Sequence, residues 1–332
     1  MTSRIRHLCP GMRRFITQTE RFYVEAGCGE TASLAQQRVA YERFARGFRR
    51  PRPAGVSAED VTLATAAGKL RTRLYRGVTG AAGPRPGFVF LHGGGFALGS
   101  LDSHDCIAAE IAEAAQCVVV SVAYRLAPEA PFPAAHEDAV AGLSHVIDEG
   151  EALGIDGRRV AIGGDSAGAA LALSAALARR DAGLPGAIGQ LLIYPVLTTA
   201  ADLPSYVENA DAPMLTAESL AYFWSLYTHG PRFARDPRAA PLLADSFRGL
   251  GSTLIATASH DPARDDGASL WQRLRADGVP VQYRCATDLA HGYLRARAMS
   301  PSAAIEFVAA CAWLRQTLHA ASTAERPTVL PS

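Results

Sequence analysis

Arg159-Val160-Ala161-Ile162-Gly163-Gly164-Asp165-Ser166-Ala167-Gly168 carries an apolar run into a serine set between glycines and then into a helix-forming segment, Ala167 to Arg180. This is G-x-S-x-G between a strand and a helix, the setting in which the motif makes a nucleophile elbow. A sharp strand-to-helix turn strains the serine backbone, and flanking glycines leave room where a side chain would clash. The hydroxyl is exposed beside a helix N-terminus, which favours negative charge. The alternative is an ordinary N-capping serine in a glycine-rich turn.

Outward from this point the chain alternates short β-rich runs with helical stretches. Residues 61–65, 71–75, 87–91, 117–123, 159–163, 188–194, 253–258 and 280–285 read as strands, and 103–115, 135–149, 167–181, 263–277 and 301–319 as helices. Cys117-Val-Val-Val-Ser-Val is apolar almost throughout, as in a strand covered on both faces. Such alternation predicts an α/β fold with a mostly parallel sheet. Only residues 66–70 separate the first two strands, so these pair as a hairpin. Nearly sixty residues lie between Tyr194 and Thr253, including an aromatic helix, Glu218 to Tyr227. An insertion of this length at a strand's carboxyl end is where α/β folds place lids and pockets.

A serine nucleophile needs a base held by a third group. His291 follows the last strand, and Asp261, in Ser259-His-Asp-Pro262, follows the strand before it. Both fall on the sheet edge of Ser166, in the chain order Ser, Asp, His. Asp265 and Asp266 are expected to serve the first turn of their helix. Asp288 lies in the loop of His291 itself, and His260 is expected to point away. His104, His136, His145 and His229 have no strand-end placement. His92-Gly93-Gly94-Gly95-Phe96 follows the strand 87–91 and can aim N–H groups at an oxyanion together with the N–H of Ala167. The sequence leaves open which two of Gly93, Gly94 and Gly95 contribute. The run lacks the P-loop pattern and has no nearby lysine.

Residues 34–50 read as a helix with Leu34, Val39, Tyr41, Phe44 and Phe48 broadly on one side. Arg46, Arg49, Arg50 and Arg52 around its end read as a solvated face, and Pro51 and Pro53 break the chain after it. Across 332 residues, 33 Lys+Arg balance 32 Asp+Glu to leave +1, too little to hold a polyanion, so nucleic-acid binding is excluded. Six scattered cysteines form no C-x-x-C pair, which excludes the common zinc and redox spacings and fits a reducing compartment. No apolar run reaches the ~20 residues of a membrane helix. Arg13, Arg14 and Glu20 interrupt any signal-like stretch. A soluble, cytoplasmic protein is expected.

With these motifs in hand, the chain resembles the hormone-sensitive-lipase-like α/β-hydrolases, the bacterial family IV esterases, from about residue 40 to 315. The resemblance rests on His92-Gly-Gly-Gly-Phe96, Tyr124-Arg-Leu-Ala-Pro-Glu129, Phe132-Pro-Ala-Ala135 with Glu137-Asp138-Ala139, Gly164-Asp-Ser-Ala-Gly168, Asp261-Pro262 and His291-Gly292. It departs at Ala169, where the family usually has another glycine, and at His260, where an acidic or aromatic residue is usual. It implies an eight-stranded sheet and a helical cap. The parts are then an N-terminal cap segment (1–55), a catalytic core (56–197 and 246–322), a cap insertion (198–245) and a C-terminal tail (323–332). It also implies cofactor-free, metal-free hydrolysis of short-to-medium acyl esters, with a small-molecule ester as partner and at most a second copy in a homodimer. Tyr124 to Glu129 is then a structural turn. Amidase or acyltransferase chemistry is the nearest alternative, and a non-catalytic binder on the same fold is a more distant one. Phe96, Asp165, Tyr194, Tyr222, Phe223 and Trp224 are candidates for the substrate pocket. The apolar side of 34–50 is expected to pack against Tyr222, Phe223 or Trp224 over Ser166.

Overall fold

The computed structural model describes residues 5–29, 32–66, 68–77 and 83–320; the expected tail 323–332 lies outside them. Eight strands form one sheet: β1 (Val56–Thr65), β2 (Gly68–Gly77), β3 (Arg85–Leu91), β4 (Val118–Val122), β5 (Ile155–Asp165), β6 (Gly189–Ile193), β7 (Ser252–His260) and β8 (Val281–Ala290). Their order is β1-β2-β4-β3-β5-β6-β7-β8. β2 runs antiparallel to β1 and β4, and the other neighbours are parallel.

Period-two alternation sends successive side chains to opposite faces. On β3, Val89 and Leu91 join one core, packed on α4 (Ala134–Asp148), α5 (Ala167–Asp181) and α8 (Arg264–Ala276). Phe88 and Phe90 join the other core, packed on α3 (Asp105–Ala114) and α9 (Pro301–Ala320). All five residues of β4 are buried, as its apolar sequence requires. Chain order reverses at β3 and β5, which lie side by side with Leu91 opposite Gly164. Loops leaving these ends part in opposite directions and open a crevice. At the end of the last parallel pair, β7 and β8, His260 lies opposite Ala290. Register alone therefore brings the loops after β3, β5, β7 and β8 to one edge.

The N-terminal region differs from expectation. Besides α2 (Leu34–Gly47) it contains α1 (Pro10–Glu25), for which no element was expected. Helix α1 starts at Pro10, with the Cys9 Sγ accepting from the Met12 N–H, and buries Met12, Phe15, Ile16 and Thr19. This spacing is the i, i+3, i+4, i+7 pattern of an amphipathic helix, with Arg13, Arg14 and Glu20 off the buried stripe, so the signal for α1 is present in the sequence. Ser33 and Gln36 form a capping box at the start of α2. Phe44 of α2 packs on Phe15, Tyr23 and Phe48, not on the insertion's aromatic residues, and Val39 is exposed. Arg46, Arg49, Arg50 and Arg52 stay solvent-exposed, as a solvated face requires, and three of them also pair with α3. Arg49 and Arg52 both grip the buried carboxylate of Asp105, and Arg50 reaches Glu110, which ties the segment to α3. Among the described residues, no helix is long and apolar enough to cross a membrane.

Candidate active site

Ser166 follows β5 and precedes α5 with φ 56° and ψ −121°, a conformation that a non-glycine residue keeps only when its surroundings impose it. The surroundings are the end of β3. A Cβ on Gly164 would lie 2.2 Å from the Leu91 carbonyl oxygen, and one on Gly168 only 2.0 Å from it, so both flanking glycines are steric necessities. The Ser166 side chain makes no capping bond to α5. Its Oγ lies 2.8 Å from Nε2 of His291 instead, and Nδ1 of His291 lies 2.7 Å from Oδ2 of Asp261. Asp261 is fully buried, and its Oδ1 accepts the Ala263 N–H at 2.9 Å, which fixes the carboxylate plane. The N-capping alternative for Ser166 is thereby set aside.

The other acids and histidines have other tasks. Asp288 accepts a hydrogen bond from Ser302 at 2.6 Å in the first turn of α9. His260 stacks on His7, with ring centroids 6.1 Å apart. Asp266 does not serve its helix turn. It is buried and accepts from the Leu197 and Thr198 N–H groups and from the Tyr206 hydroxyl, which anchors the start of the insertion. Burial pushes this carboxyl up to about 8 despite those three donors.

Past β3, Gly94 and Gly95 take φ of 134° and 59°, open to glycine and strained for other residues. The Gly93 N–H is already occupied by Asp165 Oδ1, at 2.9 Å. His92 lies inside the loop: its Nδ1 is 2.9 Å from the Gly93 carbonyl, and its own carbonyl accepts the Tyr124 hydroxyl at 2.7 Å. Burial and the neighbouring His104 push the His92 imidazole down to about 3, so it remains neutral near pH 7.

A family model for the alpha/beta hydrolase fold matches residues 88–295, which span all of these loops. The chain belongs to the α/β-hydrolase family. Among its relatives, Esterase LipI of Mycobacterium tuberculosis is 40% identical over 266 residues, covering 78% of this chain and 82% of that protein. Ethyl acetate hydrolase of Pseudomonas putida is 36% identical over 246 residues, covering 71% and 75%. A solved α/β hydrolase enzyme from the metagenome of Lake Arreo, Spain, superposes with a TM-score of 0.87 at 32% identity, covering 93% of this chain and 98% of that one. The hyperthermophilic esterase of Pyrobaculum calidifontis gives 0.84 at 32% identity, with the same coverage. These relatives agree with the resemblance to the hormone-sensitive-lipase-like group.

In this α/β hydrolase, Ser166 and His291 open into a cavity of about 930 Å³. Of the expected pocket residues, Phe96, Asp165, Tyr194, Tyr222 and Phe223 line it. Trp224 does not; it is buried behind the wall, on Phe96 and Tyr227. The N-terminal region contributes Tyr23, Tyr41 and Phe44 on one side, and the insertion contributes Met214, Leu215 and Leu220 on the other. The two parts thus share a cavity without the direct stacking expected of them. Sequence reading missed Arg295, four residues after His291 and also in the wall. Its spacing in Tyr293-Leu-Arg-Ala-Arg297 gives no sign of direction, because this segment is a 3₁₀ turn and not a strand end. Among the described residues, no group of three or more His, Cys, Asp or Glu side chains is placed to hold a metal ion.

Proposed function

We propose that this α/β hydrolase is a serine carboxylesterase acting on short-to-medium acyl esters. The observation that carries the proposal is the unbroken chain Ser166 Oγ, His291, Asp261, at 2.8 and 2.7 Å, with its serine facing a cavity. His291 takes the serine proton as Oγ attacks the ester carbonyl, and Asp261 holds the imidazole in the tautomer that places a lone pair on Nε2. The oxyanion is met by N–H groups of Ala167, Gly94 and Gly95; Gly93 is left out because its N–H serves Asp165. His291 then returns the proton to the leaving alcohol, and water releases the acid by the same route. Every step uses a group of the chain, so the scheme needs no metal or cofactor.

The names of the relatives, an esterase and an ethyl acetate hydrolase, support an ester bond over an amide. Residues 1–55 and 198–245 act as a cap that bounds the acyl chain, a role supported by Phe44, Leu220 and Phe223 in the cavity wall. The scattered cysteines favour a cytoplasmic setting, and a homodimer fits this reading without being required by it. Ser166→Ala tests the proposal: p-nitrophenyl butyrate turnover falls by about 10⁴–10⁶ while the melting temperature is kept. Turnover within tenfold of wild type in a folded variant overturns it.

A further inference from the structure

Asp165, next to the nucleophile, has no part in the proton transfers above, yet its side chain joins the glycine loop, Tyr194 and His104. Its Oδ1 accepts the Gly93 N–H at 2.9 Å, which ties the glycine loop after β3 to the elbow after β5. Its Oδ2 accepts the Tyr194 hydroxyl at 3.2 Å, and the Tyr194 ring packs against His291 with centroids 4.8 Å apart. The carboxylate is almost completely buried, where a lone charge is costly. Besides these two donors, a cationic chain lies on one side of it. His104 Nε2 lies 3.4 Å from Asp165 Oδ1, and Arg295 Nη2 lies 3.1 Å from the same nitrogen.

Arg295 is held in turn. It donates to the Ser103 carbonyl at 2.7 Å, and the Tyr41 and Phe44 rings lie 5.5 and 5.4 Å from its guanidinium carbon. The contrast with its neighbours is informative. Arg179 and Arg297, the other buried arginines, each have a carboxylate partner, Asp148 and Glu110, at 2.9 and 2.8 Å. Among the described residues, no carboxylate lies within ion-pair distance of Arg295, whose charge reaches Asp165 across the His104 ring. Burial alone would raise the Asp165 carboxyl; His104, Arg295 and the Gly93 N–H hold it at about 2 instead.

We infer that Asp165 is a positioning residue for the oxyanion site, with His104 and Arg295 behind it keeping its carboxylate in place against the Gly93 N–H. A carboxylate there accepts one N–H of a loop whose next two residues are the donors assigned to the oxyanion. A hydrogen bond to a charged acceptor is about twice as strong as a neutral one, and it sets where Gly94 and Gly95 aim. The interaction matters most when the tetrahedral adduct forms, because a donor displaced by an ångström can forfeit about 10²-fold in rate. Through Tyr194 the same carboxylate also braces the ring face of His291.

The inference rests on the esterase reading, and the experiment separates the two. Turnover and KM for p-nitrophenyl butyrate, and Ki for an alkyl boronic acid that forms a tetrahedral adduct at Ser166, are measured for wild type, Asp165→Asn and Asp165→Ala. Asparagine still offers an oxygen to Gly93 and a donor to Tyr194; alanine offers neither. The expected order in kcat is wild type, then Asn lower by about three- to tenfold, then Ala lower by about 10²-fold, with KM within about threefold throughout. The boronic acid Ki rises by the same factors as kcat/KM falls, a parallel that loss of fold or of active fraction does not produce. If Asp165→Ala fails to fold, the Asn variant alone carries the test. A kcat for Asp165→Asn equal to wild type, or a boronic acid Ki that stays flat while kcat falls, overturns the inference and leaves the esterase reading standing. Retained turnover in Ser166→Ala overturns the reading itself.

Discussion

Ser166 and Asp261 are held by different physics, and substitutions at each should fail differently. The Ser166 backbone holds a strained φ of 56°, and a side chain at Gly164 or Gly168 would meet the Leu91 carbonyl and cost the fold. Asp261 instead orients a ring. Asp261→Asn is expected to lower kcat by about 10⁴-fold with the fold intact, because the His291 tautomer is no longer fixed. Asp288→Asn should leave most turnover, since Asp288 is spent on Ser302. Steady-state kinetics on the two variants check this; a reversed pattern moves the triad acid to Asp288.

At the scale of elements, the proposed cap draws on α1, α2 and the insertion, and α2 meets the core through Arg38. Arg38 donates to Glu129 and to the Ala97 and Ala127 carbonyls, so α2 is tied to the chain just past the glycine loop. Phe44 is the apolar counterpart, buried against Phe15 and Tyr23 while lining the cavity. Phe44→Ala is expected to destabilise the protein by about 3–5 kcal/mol. It should also shift preference toward longer acyl chains across an acetate-to-palmitate series of p-nitrophenyl esters. An unchanged chain-length profile in the folded variant would remove α2 from the substrate wall. The strands and the Ser, Asp and His placements were legible because apolar periodicity and strand-end position are local signals. Helix α1 was legible in the same way, from Met12, Phe15, Ile16 and Thr19 at helical spacing, but the charges of Arg13, Arg14 and Glu20 drew the reading to the lack of a signal-like stretch. The choice among Gly93, Gly94 and Gly95 was not legible, since it depends on Asp165, seventy-two residues away. Asp266 looked like a helix-turn acid for the same reason: its partners Leu197 and Tyr206 are brought to it only by the fold.

For the whole molecule, the insertion is secured by a carboxyl that the fold keeps protonated. The Asp266 group sits at about 8 in the native state, against about 3.9 in an unfolded chain. The native state therefore binds more protons between these values. Its contribution is fully present below about pH 4, declines as pH rises, and is spent by about pH 8, a loss on the order of 3–5 kcal/mol. Asp266→Asn, neutral at every pH, should flatten that decline in denaturant melts taken from pH 5 to 9; an unaltered slope contradicts the assignment. The overall account, an α/β hydrolase whose β5 elbow delivers a serine nucleophile into a capped cavity, is tested most directly by labelling folded protein with a fluorophosphonate. One adduct per chain, mapped to Ser166 and formed in step with loss of p-nitrophenyl butyrate hydrolysis, is the predicted result. A folded protein that takes no label, or that takes it elsewhere while hydrolysis continues, contradicts it.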